Sequence, residues 1–265
     1  MKRTLLFFVT IILVSCGTSR MQTVSPSVGQ LVVDGKLWSS VFQQKAAEYD
    51  ALCHQAYNIA RLQLDNALSQ KSDKPLAVVT DIDETILDNS PYAVHQALQG
   101  KDYESKTWYE WTGKAIAIPL PGSLGFFKYA AEKGVAVFYV TNRDEVERSA
   151  TLENLKKFGY PYSVNEHLIL RTGPSSKENR RAAIAGKYNI VMLFGDNLAD
   201  FSTLWDKKTT AERRKNIADN KELFGSKFIV LPNLDYGGWE DALYGNKYLT
   251  SAQKDSAIRA NLKGY

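Results

Sequence analysis

The sequence predicts an α/β protein built on a Rossmann-like parallel sheet with helices on both faces, and three features predict it. Apolar runs of five or six residues alternate with segments of helical periodicity, the pattern of strands buried on both faces. Gly134, Gly159 and Gly186 punctuate the ends of the helical segments, where a left-handed cap would close them. A polar cluster follows each principal apolar run, at the end where open parallel sheets carry their ligands.

In chain order, Phe42, Ala46, Tyr49, Cys53, Ala56, Ala60 and Ala67 recur at helical spacing and predict a helix over 41–68, capped by Ser39 or Ser40. Lys71 to Pro75 ends that helix and leads into a first strand, 76–80. Residues 88–118 hold Pro91, Tyr92, Trp108, Tyr109 and Trp111 among polar residues and lack a continuous apolar strand. They predict a helical cap over the first strand's tip. Beyond Pro119 and Pro121 the pattern alternates: helix 123–133, strand 135–140, helix 145–158, strand 167–170, helix 177–187, strand 190–194. A last strand is expected over 227–231. The globular part, 31–265, thus divides into a core of about 71–87 and 119–235 and a smaller, mainly helical cap from about 38–70, 88–118 and part of 236–265.

Residues 1–15 read as a secretory leader: Lys2 and Arg3, an apolar stretch over 5–14, then Leu13-Val14-Ser15 before Cys16. About ten apolar residues are too few for a permanent span. Leu-Val-Ser-Cys resembles a bacterial lipobox, which implies cleavage before Cys16 and acylation of its sulfur. Residues 16–30, rich in Ser, Thr and Gly, predict a lipidated flexible tether reaching roughly 20 Å. The expected location is the cell envelope, on a membrane through the N-terminal lipid, with Gly17 favouring the outer membrane.

The chain carries 33 basic and 29 acidic side chains, a net +4 that falls by two when Lys2 and Arg3 leave with the leader. That balance excludes the basic footprint of a nucleic-acid polymer binder. The charged stretch 206–222 reads as a solvated helix. Once Cys16 carries lipid, only Cys53 remains, so no internal disulfide forms and Cys53 reads as a buried structural thiol. Thiol phosphatases need Arg six positions after the cysteine; Ile59 stands there and excludes them. Three histidines, widely separated and without an Arg-His-Gly motif, exclude phosphohistidine chemistry and a histidine-rich dinuclear metal site.

Four strand tips carry groups suited to phosphate. The first gives Asp81 and Asp83; the second Thr141, Asn142 and Arg143; the third is followed by Ser175, Ser176 and Lys177; the fourth gives Gly195, Asp196 and Asn197, with Asp200 beyond. A carboxylate attacking a phosphate monoester meets like-charge repulsion, so a divalent cation held by oxygen ligands must bridge the two. Asp81 and Asp196 are its candidate side-chain ligands, and Asp83 is placed to move protons. Thr141, the N–H groups after it and Lys177 would bind oxygens where charge spreads in the transition state. A calcium loop is the other reading of Asp81-Ile82-Asp83, but Ile86 occupies the position that needs Gly.

These residues resemble the haloacid dehalogenase superfamily, and more closely the class C bacterial nonspecific acid phosphatases. The resemblance rests on Asp81-Ile82-Asp83-Glu84-Thr85 with Asn89 and Tyr92, Thr141-Asn142-Arg143, Lys177, and Gly195 through Phe201. It implies Asp81 as nucleophile and metal ligand, Asp83 as general acid and base whose carbonyl also ligates Mg2+, and Asp196 as the third protein ligand. It implies Asp200 as support for that shell, and Thr141, Asn142 and Lys177 as phosphate binders. Trp108 and Tyr236 resemble the aromatic pair that encloses a nucleobase or other flat leaving group. The implied activity is Mg2+-dependent hydrolysis of small phosphomonoesters, 5′-nucleotides among them, through an aspartyl-phosphate. Transfer of that phosphoryl group to another alcohol is the enzymatic alternative. A lipoprotein that only binds a ligand, or a phosphoacceptor receiver domain, is the alternative outside enzymology. A homodimer is compatible with the sequence.

Overall fold

A computed structural model of the protein describes residues 29–265; the leader, Cys16 and the tether to residue 28 lie outside the described residues. Two helices open the described chain, α1 (Leu31–Lys45) and α2 (Ala47–Leu68). Then come β1 (Leu76–Thr80), β2 (Leu87–Asp88), α3 (Ser90–Ala97), α4 (Ser105–Thr112), β3 (Ile118–Pro119), α5 (Ser123–Glu132) and β4 (Ala136–Val140). The second half holds α6 (Arg148–Phe158), β5 (Leu168–Ile169), α7 (Glu178–Lys187), β6 (Asn189–Gly195), α8 (Thr210–Asp219), β7 (Phe228–Val230), α9 (Gly238–Leu243) and α10 (Ser251–Asn261).

Five strands form one parallel sheet in the order β5-β4-β1-β6-β7. Side chains alternate across it, as the two-residue period of a strand requires. Val78, Val137, Tyr139, Met192 and Phe194 face one way, into a core shared with α2 and with Phe126, Phe127 and Ala130 of α5. Ala77, Val79, Ala136, Phe138 and Leu193 face the other way, against Ile184 of α7, Phe201 and the fully buried Trp205. Strands this apolar have no solvent face, which is why both sheet faces carry helices.

The sequence reading differs from the structure over 31–70. The predicted single helix is two, broken at Ala46, whose ψ of 120° is extended. Neither Gly nor Pro marks this break. Ser39 and Ser40 are not caps; both are buried within α1, where Ser40 Oγ donates to Lys36 O at 2.9 Å. The assignment of 38–70 to the cap fails for α2, because Tyr49, Cys53, Tyr57, Ala60 and Leu64 form one buried stripe against the sheet. A helix with such a stripe is stable only where the stripe is covered. α1 instead packs on α3.

The segment over the strand tips contains α3 and α4, enclosed by a two-residue antiparallel ladder pairing Leu87 with Pro119 and Asp88 with Ile118. Cys53 is fully buried, and burial pushes its thiol up to about 12, as befits an unreactive packing group. In the charged stretch, α8 is largely solvent-facing, but Arg213 is buried and donates to Trp205 O at 2.8 Å.

Tyr57 links core packing to the site. Its ring stacks on Phe194 at 5.9 Å and its hydroxyl donates to Thr85 O at 2.6 Å, within the loop that follows β1. Tyr57→Phe keeps the stack and strands a buried carbonyl, an expected loss of about 1–3 kcal/mol. A lower urea midpoint at unchanged m would show it; an unchanged midpoint would refute it.

Candidate active site

The loop after β1 starts in register with the sheet: Asp81 N donates to Phe194 O at 3.0 Å, so the ladder fixes the backbone one residue past the strand. Lys177, at the N-terminus of α7, reaches back and pairs with Asp81 Oδ1 and Asp200 Oδ1, each at 2.6 Å. Carboxylate oxygens of Asp81, Asp196 and Asp200 all lie within 4.8 Å of one another. Asp196 is oriented by Thr85 Oγ1, donating at 3.2 Å, and Asn233 Nδ2, donating at 2.8 Å. Asp200 Oδ2 accepts from Asn197 N at 3.0 Å and closes the turn after β6. Gly195 permits this approach, since a Cβ there would lie 2.4 Å from the Asp200 side chain.

Three clustered carboxylates lie beside one ammonium, which pairs with two of them, and their protonation reflects it. Burial, with Asp200 and Asp83 nearby, pushes Asp81 up to about 7 against the pull of Lys177. Burial and the charges of Asp200 and Asp81 hold Asp196 well above the usual carboxylate range. The same charges, outweighing burial, raise Lys177. Such a cluster of hard oxygen donors with surplus negative charge suits a hard divalent cation. For Asp81 the unfolded chain ionises near 3.8 and the folded one near 7, so between these values the folded state binds more protons and loses stability as pH rises. Metal-free protein is therefore expected to melt at lower temperature at pH 8 than at pH 5, with a divalent cation restoring the difference. A melting point of metal-free protein that rises over this range would contradict the charge assignment.

Asp83 does not join that cluster. Arg143, only 3% exposed, clamps it, with Nη2 donating to Oδ1 at 2.7 Å and Nε to Oδ1 and Oδ2 at 3.1 and 3.2 Å. Arg143 Nη1 is anchored on Thr151 Oγ1 at 3.0 Å. Glu84, at a φ of 52°, turns inward; its carboxylate accepts from Asn89 N at 2.9 Å and from the Tyr236 hydroxyl. Burial first, then the neighbouring Asp83, hold Glu84 well above its ordinary value.

Thr141 is fully buried, its Oγ1 accepting from Arg143 N at 3.1 Å, and it is not part of the cleft wall. The hydroxyl oxygen shapes the turn that aims Arg143, and its O–H remains able to donate. Asn142 does line the cleft, its Oδ1 held by Arg180 Nη2 at 2.6 Å, which leaves its amide N–H groups for a ligand. Trp108 and Tyr236 line the same cleft, Trp108 packing edge-on to Tyr92 at 5.1 Å. The cleft holds about 420 Å³, enough for a small ester. At its outer end Asp102 pairs with Lys36 and Lys254, each at 2.7 Å, and the two cations keep its carboxyl down at about 2 against the effect of burial.

Arg143, Glu84, Asn89 and Arg180 are the site residues that sequence reasoning left without roles. Glu84, Asn89 and Arg143 belong to the motifs that carry the resemblance, but a buried Arg must have an acid partner and its spacing does not say which.

A parallel sheet whose central tips bring three carboxylates together beside a lysine, with a clamped fourth carboxylate next to them, defines the phosphatase class of the haloacid dehalogenase fold. The acid phosphatase family described as HAD superfamily, subfamily IIIB, matches residues 14–239, and the chain belongs to it. Its fold is that of the class C acid phosphatase from Bacillus anthracis, 41% identical, covering 88% of this chain and 99% of that one with a TM-score of 0.85. The same enzyme with tungstate bound gives 40% identity and a TM-score of 0.86 over 89% and 99% of the two chains. Among curated relatives, Acid phosphatase 1 of Solanum lycopersicum is 31% identical over 46% of this chain and 50% of its own. Vegetative storage protein 2 of Arabidopsis thaliana is 27% identical over 59% and 60%. The chain thus spans about half to three-fifths of the length of the curated relatives it matches.

Proposed function

We propose that the protein is a magnesium-dependent acid phosphatase that hydrolyses small phosphate monoesters, 5′-nucleotides and related aromatic esters among them, through a phosphorylated Asp81. One observation carries this reading: Lys177 ties Asp81 to Asp200 at 2.6 Å each, with Asp196 in the same 4.8 Å group. A nucleophile, a cation site and a phosphate-binding ammonium then share one tip. Asp81, Asp196 and the carbonyl of Asp83 would hold the metal, with Asp200 supporting them. When bound, Mg2+ neutralises charge between the attacking carboxylate and the phosphoryl group and polarises the latter.

The chain's own residues supply the rest. Lys177 and the Asn142 amide bind the phosphoryl oxygens, where charge spreads in the transition state. Asp81 attacks phosphorus, and Asp83 protonates the departing ester oxygen, releasing the alcohol, then takes a proton from the hydrolytic water. Trp108 and Tyr236 flank the leaving group with flat apolar faces, which favours aromatic alcohols. That a neighbour of this fold was solved with tungstate, a tetrahedral oxyanion, supports an affinity for phosphate-like anions.

Chelator-treated protein assayed on 4-nitrophenyl phosphate, 5′-nucleotides, sugar phosphates and phosphoamino acids tests the proposal. Phosphate release should return with Mg2+ and be fastest for the aromatic and nucleotide esters. Full turnover in chelator would remove the metal from the account, and faster sugar phosphates would remove the aromatic preference.

A further inference from the structure

We propose that Asn89 and Trp111 are positioning residues for proton transfer: with Arg143 they saturate one oxygen of Asp83 and leave the other, Oδ2, to carry the proton. The inference rests on the reading of Asp83 as general acid and base. Asp83 Oδ1 accepts three bonds, from Arg143 Nη2 at 2.7 Å, Asn89 Nδ2 at 2.9 Å and Arg143 Nε at 3.1 Å. Oδ2 has a single partner among the described residues, Arg143 Nε at 3.2 Å. A carboxyl oxygen already accepting three donors has no lone pair left, so Oδ2 is the oxygen through which Asp83 can give and take a proton.

Asn89 holds this arrangement only in one amide orientation. Trp111 Nε1, a donor and nothing else, meets Asn89 Oδ1 at 2.8 Å and forces the amide nitrogen towards Asp83. Asn89 is 3% exposed, and its backbone N–H is spent on Glu84 Oε1 at 2.9 Å. Trp111 belongs to α4, in the segment over the strand tips, whereas Asp83 belongs to the β1 loop. The seating of α4 therefore sets the direction in which Oδ2 presents its proton.

The reaction balances around that atom. In the first step an Asp81 oxygen bonds to phosphorus, the ester P–O bond breaks, and the Oδ2 proton passes to the departing alkoxide. In the second, water oxygen bonds to phosphorus, the Asp81–phosphorus link breaks, and a water proton returns to Oδ2 as inorganic phosphate leaves. Only the first step depends on leaving-group basicity. An alkoxide needs the proton to depart; 4-nitrophenolate does not.

The test is therefore a ratio, kcat/KM for ethyl phosphate over that for 4-nitrophenyl phosphate, in the metal-loaded enzyme. Since a positioned general acid contributes about 10²- to 10⁴-fold, losing its aim should lower this ratio about tenfold in Trp111→Phe. Asn89→Leu should lower it at least as far, and if that variant does not fold, Trp111→Phe decides alone. A residue that merely packs would depress both esters together and leave the ratio unchanged, which would overturn the proposal. Asp83→Asn is the internal control. If it leaves the ratio unchanged, Asp83 is not the acid and both readings fall; if it lowers the ratio while Trp111→Phe does not, only the positioning role falls.

Discussion

Asp81→Asn is expected to lower phosphate release by about 10⁴-fold or more, because an amide nitrogen or oxygen at this tip cannot replace an attacking carboxylate. The same change should not weaken the fold. In metal-free protein the Asp81 carboxyl is pushed up to about 7 by burial and by Asp200 and Asp83, so above that pH its charge is a cost. Removing the charge relieves Asp196, whose carboxyl is raised partly by Asp81. Metal-free Asp81→Asn should therefore melt at or above the parent temperature at pH 8, while binding divalent cations more weakly. Loss of activity with a retained or raised melting point separates chemistry from folding. Residual activity within tenfold of the parent would show that another group attacks phosphorus.

Lys177→Met should fail in both respects. Lys177 is 4% exposed and holds Asp81 and Asp200 simultaneously, so its loss leaves three clustered carboxylates without a counter-charge. Breaking a buried pair by deleting one partner costs about 3–5 kcal/mol. The sign with pH follows from the carboxylates. Lys177 lowers Asp81 and Asp196, so without it both rise further, and more protons bind the folded state across the window above 3.8. The deficit should be small at pH 4 and grow towards pH 8, read as urea midpoints of parent and variant at each pH. Loss of an ammonium aimed at phosphoryl oxygens should also lower kcat by about 10²- to 10³-fold even when metal is supplied. A deficit that shrinks as pH rises would contradict the charge balance assigned to the site.

Much of this was legible in the sequence, and the limits have physical causes. The strands were legible because parallel strands buried on both faces are unbroken apolar runs; β1 falls on the expected 76–80, and β6 and β7 within a residue of expectation. The tips were legible because polar residues follow those runs, and the fold brings Asp81, Lys177, Asp196 and Asp200 together. The α1–α2 break was not, since Ala46 carries no turn chemistry and the apolar spacing runs through it. Nor was the docking of α2 on the sheet, because a periodic stripe says that a helix is covered and not by what. Thr141 shows the same limit at the scale of one side chain: its position at a tip was legible, but its hydroxyl oxygen accepts from Arg143 N. The Arg143 clamp joins residues sixty apart, and nothing in local pattern pairs them.

The central claim is that Asp81 attacks phosphorus. Rapid acid quench of the metal-loaded enzyme during turnover of 4-nitrophenyl phosphate, followed by peptide mass spectrometry, tests it most directly. The account predicts an acid-trapped phosphoryl group on the peptide containing Asp81, formed within one turnover and absent from Asp81→Asn. Turnover with no phosphorylated peptide, or a phosphoryl group on any other side chain, would contradict it.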